Sequence, residues 1–397
     1  MNAIGIDHGR TLTIISLREG AGGVGSMSPV GDGRRRLIPN AIAGDDRWGS
    51  TAFDAAAQDR RCGDEAGPWC DEAAARFWQH VCRRLGAYLG RTAPTPVNGY
   101  RTVISLTGAD FRNVAGTIES LVRNAGLAEA VCIPAADALL CRWLAAGGPV
   151  EEGAERTVVL VAAGDRSVEV AARRVRLYRG EWHITAAGES FSIEETGQAA
   201  WLRRLSDEVH ARLKEPLPPG QELALRDAAL EFVMKFRYAE PARAVEWEGV
   251  FRERLFAPLR LTSDECRGWP EVIRLEAELP ATVRQALHQV GAAAPDLIVV
   301  GGVGAAWPFP TDVAGRIARV WRSEEPTEDL ACGAAWWPEL GSGANRARLA
   351  DATALPLSSL ASKEPVLGDS VEVPDGTNTD EVPPWQLREW PAESDDV

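Results

Sequence analysis

Two stretches of this chain carry residue types suited to phosphate chemistry. Near the start, Ile4-Gly5-Ile6-Asp7-His8-Gly9-Arg10-Thr11 runs from apolar residues through a carboxylate into a glycine turn. Far downstream, Asp296-Leu297-Ile298-Val299-Val300-Gly301-Gly302-Val303-Gly304 runs into a glycine cluster. An apolar run closed by glycine is the form of a buried strand that delivers backbone to a phosphate or nucleoside, since glycine lets a ligand come close to the main chain. Together the two stretches predict a two-lobed nucleotide clamp. Only three lysines, Lys214, Lys235 and Lys363, stand among 43 basic residues. A contact that needs an ammonium against a phosphate must draw on these three, because arginine and lysine are not interchangeable there.

The elements that must position these residues follow from periodicity. Asn2 to Arg18 reads as a strand, a turn at His8-Gly9-Arg10 and a second strand, a hairpin whose amides can face an anion. Leu37 to Ala43 reads as an edge strand on account of Pro39. A helix over Asp71 to Leu89 follows from Phe77, Val81, Leu85 and Leu89, four apart. Strand Thr102 to Leu106, helix Phe111 to Ala125, strand Ala128 to Ile133 and a helix over Asp137 to Ala146, stopped by Gly147-Gly148-Pro149, complete a first lobe over residues 1–150.

After the acidic connector Glu151-Glu152-Gly153, strand Thr157 to Val161, turn Ala163 to Arg166 and strand Val168 to Ala172 repeat the opening strand-turn-strand form. Helices are predicted at 198–214 and 221–237, then over Ala281 to Val290, Thr311 to Trp321 and Asp329 to Trp337, with a strand at 297–300; these make a second lobe over residues 151–340. From 341 to 397 Pro, Ser and acidic residues predict a disordered tail carrying Trp385 and Trp390.

Composition narrows the function classes. The 397 residues, 45% hydrophobic and 25% charged, predict a soluble globular protein of two or three domains. No basic-then-apolar leader and no apolar run of about 18 residues is present, which predicts a cytoplasmic protein without a membrane partner. A net charge of -14 argues against non-specific nucleic-acid binding, which rests on neutralising phosphates, and Arg34-Arg35-Arg36 reads as a solvated turn. Seven cysteines without paired short spacings indicate neither a disulfide framework nor a zinc site, and the five dispersed histidines form no metal-binding pair.

The order of the motifs resembles the actin-like ATPase superfamily, and within it the nucleotide-binding domain of the heat-shock-protein-70 (DnaK-type) chaperones. Gly5-Ile6-Asp7-His8-Gly9-Arg10-Thr11 resembles that family's first phosphate motif, and Ile38-Pro39-Asn40-Ala41-Ile42-Ala43 with Asp46-Arg47-Trp48-Gly49 resembles the stretch after it. Thr102 to Thr107 with Phe111-Arg112 and Ala125-Gly126-Leu127, then Asp296 to Gly304 with Cys332-Gly333-Ala334-Ala335, are similar to its later segments. The likeness covers about the first 340 residues, and the family's peptide-binding domain has no counterpart. It implies an α/β, two-lobed actin-like (ribonuclease H-like) fold, each lobe a mixed sheet with flanking helices. It also implies ATP or ADP with magnesium as cofactor: Asp7 toward the metal, Gly9, Arg10 and Thr11 at the phosphates, Gly301, Gly302 and Gly304 at the adenosine, and Lys235 near the adenine.

Departures from the family pattern fall on the chemistry. Phe53 stands where the family has a lysine, Ala135 where it has a glutamate, and Ala162 where its second phosphate motif has an aspartate. Asp165 and Arg166 replace two glycines of that motif, and Ile193-Glu194-Glu195-Thr196-Gly197 lacks the glycines of a later one. Each lost group that stabilises phosphoryl charge costs on the order of a hundred- to thousandfold in rate. The expectation is therefore a degenerate ATPase site in a non-catalytic or very weakly catalytic nucleotide-binding module, acting as a chaperone-like adaptor or scaffold for a protein partner. Two alternatives stay open: an ATP-hydrolysing chaperone-like or kinase-like enzyme, and an actin-like filament protein. A shifted second turn would return Asp165 as a magnesium carboxylate.

Overall fold

The computed structural model describes residues 1–9, 12–20, 27–30, 37–42, 48, 60–61, 72–92, 99–127, 129–148, 151–179, 181–213, 229, 232, 244–247, 250–251, 254–255 and 258–340. Arg10, Thr11, Phe53, Lys235, the helix expected at 221–237 apart from two residues, and the tail all lie outside the described residues.

Two six-stranded mixed sheets share one plan. In the first, β1 (Ala3–His8) and β2 (Leu12–Arg18) form an antiparallel hairpin, flanked by β3 (Met27–Val30) and β4 (Leu37–Pro39), with β5 (Arg101–Leu106) and β6 (Ala130–Pro134) continuing parallel on the other side of β1. Every residue of β1 and β2 is buried, as apolar, β-branched strands covered on both faces must be. In the second sheet β7 (Glu155–Ala163) and β8 (Ser167–Tyr178) are the antiparallel hairpin, flanked by β9 (Glu181–Ala187) and β10 (Phe191–Glu194). There β11 (Leu297–Gly301) and β12 (Val320–Trp321) continue parallel beyond β7. The repeat expected from the two hairpins thus extends to whole sheets, and the protein is a mixed α/β fold.

Helices cover these sheets. The longest are α1 (Glu72–Thr92), α2 (Gly108–Asn124), α3 (Ala135–Ala145), α4 (Gln198–His210), α5 (Pro270–Gln289), α6 (Phe309–Gly315) and α7 (Asp329–Leu340). None of the described helices is long and apolar enough to cross a membrane.

The two halves of Met1–Thr353 belong to one compact unit, and α3 and α7 explain how they hold together. Late in the chain, α7 lies on β1, β2 and β5 of the first sheet, while α3 contacts β7, β8 and β11 of the second. Glycine makes these approaches possible. A Cβ on Gly5 would lie 1.9 Å from the Ala331 carbonyl oxygen, and one on Gly333 1.8 Å from that of Ala138, so main chain packs on main chain. Around them Val103, Leu139, Trp143, Leu160, Val299 and Leu330 form one buried core drawn from both halves. Each such side chain contributes about 1.5–3 kcal/mol by leaving water.

Several elements differ from expectation. The helix expected from Ala281 begins at Pro270 and runs through Pro280. An internal proline forgoes one main-chain hydrogen bond. Here Val272, Leu275, Leu279, Val283 and Leu287 bury one continuous stripe that outweighs the loss. Trp321, expected at the end of a helix, pairs with Val299 in β12 instead, since α6 ends at Gly315. Strands β9 and β10 carry no clear local signal; their polar residues mask the alternation, and pairing with β8 decides them. The five described cysteines are all buried and free.

Candidate functional site

The two hairpin turns are built alike. In the first, His8 pairs with Thr13 and the Gly9 amide donates to the Leu12 carbonyl at 2.9 Å. In the second, Ala163 pairs with Val168 and the Gly164 amide donates to the Ser167 carbonyl at 3.0 Å. This register makes Ala162 the counterpart of Asp7 and puts Asp165 within the turn itself. Asp165 therefore occupies the position equivalent to Arg10, one beyond the turn's glycine.

The turns meet. A Cβ on Gly9 would stand 3.2 Å from the Asp165 Cβ and 3.4 Å from its Oδ2. Asp7 is buried beside them; burial first, and the Asp165 carboxylate second, push its carboxyl up to about 7. A buried acid near another acid gives up its proton reluctantly, because ionisation would place uncompensated charge in a low-dielectric site.

A side-chain chain pins the first turn. Thr13 Oγ1 donates to Asn40 Oδ1 at 2.6 Å, and Asn40 Nδ2 donates to the Gly9 carbonyl at 2.8 Å. Thr13 spends its one proton there, so His8 Nδ1, 2.9 Å from Thr13 Oγ1, is the donor of that pair and carries the proton. Burial pulls the His8 pKa down to about 4, against the raising influence of Asp110, so the ring is neutral at pH 7. Trp78 packs on it with ring centroids 4.9 Å apart.

The second turn is consumed by the helix after it. At the N-terminus of α4, the amides of Gly197, Gln198 and Ala199 donate to the carbonyls of Arg166, Gly164 and Asp165 at 3.0, 3.1 and 2.7 Å. Amides at a helix start are the usual donors to a bound phosphate. In this protein they are satisfied by its own turn. Glu195, just before, holds φ 58, the left-handed region that favours glycine.

The glycine cluster after β11 is also filled by protein. Gly302 has φ 98, and a Cβ there would lie 2.5 Å from the Ala163 carbonyl oxygen; one on Gly304 would lie 3.1 Å from the carbonyl oxygens of Ala163 and Gly164. A Cβ on Gly301 would meet Leu139 Cδ1 at 2.6 Å and Asp329 Oδ2 at 2.9 Å. These glycines bring the end of β11 onto the second turn. The structure brings Asp7, Gly9 and Asp165 together at one point, and Gly302 and Gly304 onto the second turn at Ala163 and Gly164; Ala135 is buried at the start of α3.

Three charged links that periodicity alone does not reveal tie the halves together around this point. Glu169 in β8, fully buried, accepts from the Gly108 amide at the start of α2 at 2.6 Å, and burial raises its pKa. Arg173 donates to Asp137 Oδ1 at 2.7 and 3.2 Å, and Arg142 donates to Asp329 Oδ1 at 3.0 Å. Burial pushes Asp329 up to about 6, with Arg142 pulling the other way. The available signal was an acid inside an apolar strand, Val168-Glu169-Val170, which calls for a buried donor.

The chain matches no known family model, and it has no significant match among curated proteins.

Proposed function

We propose that this chain is a two-lobed, actin-like protein of the heat-shock-protein-70 type whose phosphate cleft is closed from within, serving a protein partner as a non-catalytic scaffold. The shared plan of the two sheets, hairpin plus parallel extension, supports the actin-like reading of the fold. The observation that carries the functional reading is the seat of Asp165 against Gly9, at the point where an active relative would admit phosphate. A carboxylate there repels an anion, and a side chain in place of glycine narrows the approach to the main chain.

Among the described residues, those at the turns do not suit magnesium with ATP or ADP. The counterpart of Asp7 is Ala162, which offers no ligand atom, and the α4 amides are already bonded to the carbonyls of the second turn. No catalytic step is therefore assigned to a bound nucleotide.

Isothermal titration with ATP and ADP, with and without magnesium, paired with a phosphate-release assay, tests the reading. The expected result is no turnover above buffer. Magnesium-dependent phosphate release that disappears in Asp7→Ala would overturn it and establish an ATPase.

A further inference from the structure

A cavity of about 490 Å³ opens at the far end of the second sheet, lined in part by Trp143, Glu151, Arg156, Asp296, Arg319 and Trp321. It lies at the starts of β7 and β11, whereas the turns lie at their ends. Ala163 at the turn lies five positions along β7 from Val158 of the cavity, roughly 17 Å of strand, so the two places are distinct. Its volume falls within the roughly 300–1,000 Å³ of small-molecule sites.

The lining is chemically specific. Trp143, from α3, is 1% exposed, and its indole Nε1 has no hydrogen-bond acceptor among the described residues. Trp321, from β12, adds a second, half-buried indole. Of the two arginines, Arg156 lies 3.7 Å from Asp296 Oδ1, a loose pair, while Asp296 Oδ2 accepts from the Thr157 amide at 2.7 Å. Arg319 is exposed and makes no ion pair among the described residues. The half-buried Trp321 indole offers its face to a flat apolar ring, Trp143 lines the wall beside it, and a guanidinium offers a fork to a carboxylate. Glu151 at the same cavity is an acid without an ion pair among the described residues, and it selects against a second negative charge on the ligand.

We propose that this cavity binds a small aromatic monocarboxylate, its ring against Trp143 and Trp321 and its carboxylate on Arg319. This site is independent of the phosphate cleft and stands whether or not the scaffold reading holds.

The test is isothermal titration of the full chain with phenylacetate, alongside 2-phenylethylamine as its ammonium ion, in wild type and in Arg319→Ala. Arg319 is exposed, so the variant should fold, and a thermal melt checks that it does. Saturable phenylacetate binding is expected, weakened about tenfold or more by Arg319→Ala, with no comparable binding of the ammonium and no competition from magnesium ATP. Absence of saturable phenylacetate binding would overturn the proposal. So would equal binding of the ammonium, affinity unchanged in a folded Arg319→Ala protein, or displacement by ATP.

Discussion

Asp165 and Gly9, one from each hairpin turn, face each other so closely that a Cβ on Gly9 would lie only 3.2 Å from that of Asp165. The Asp165 carboxylate thereby fills the space beside the first turn, with Asp7 buried alongside. Electrostatics at this contact give the first prediction.

Asp7 titrates near 7 in the folded protein against about 4 in an unfolded chain. A folded pKa above the unfolded value means stability is full below about 4 and is lost as pH rises through 7. Asp329, raised to about 6, acts in the same direction, while His8, lowered to about 4, loses stability as pH falls from its unfolded value near 6.5. Comparing Asp7→Asn with wild type cancels the other two. The variant should gain on the order of 4 kcal/mol relative to wild type at pH 8 and little at pH 4. Thermal melts at the two pH values check this; an unchanged difference would mean that Asp7 does not ionise in this window.

Close main-chain contact between α3 and α7 predicts a severe steric effect. A methyl group at Gly333 would fall 1.8 Å from the Ala138 carbonyl oxygen, where no flexible side chain can yield. Gly333→Ala should cost about 3 kcal/mol or more, read from urea denaturation, whereas Gly116→Ala, with nothing within 4 Å, should stabilise α2 by about 0.5–1 kcal/mol.

The left-handed backbone of Glu195 predicts an opposite effect from glycine. Glu195→Gly removes the strain of a side chain at φ 58 and should raise stability by about 1 kcal/mol, seen as a higher midpoint in urea. A lower midpoint would mean that contacts of the Glu195 side chain outweigh the strain.

Arg18 lies fully buried in β2, its guanidinium 3.6 Å from the centre of the Trp336 ring and 2.6 Å from Glu339 Oε2. Its Nε and Nη1 find no acceptor among the described residues, so Glu339 is its chief compensation. Glu339→Ala should cost about 2–3 kcal/mol, discounted for a carboxylate that is 34% exposed. The double change Arg18→Met with Glu339→Ala should cost less than Glu339→Ala alone, because it leaves no buried charge. Denaturation of the three proteins tests the order.

Much of the architecture was legible in order along the chain. Apolar β-branched runs marked β1, β2, β5, β7 and β11, and four-residue spacing marked α1, because burial on one or both faces writes itself into local pattern. The hairpin repeat was legible too, since tight turns need glycine at fixed places. Pro280 hid the first half of α5, and the polar residues of β9 and β10 hid those strands, because tertiary burial overrode the local signal.

By itself the sequence determined most of the strands and helices and which residue types reach each turn, for these depend on backbone sterics and side-chain periodicity within a few residues. Tertiary structure alone decided that Asp165 faces Gly9, that Glu169 receives the Gly108 amide and that α7 lies on β1. Those partners are far apart in the chain, and only the closing of two sheets around a shared core brings them within bonding distance.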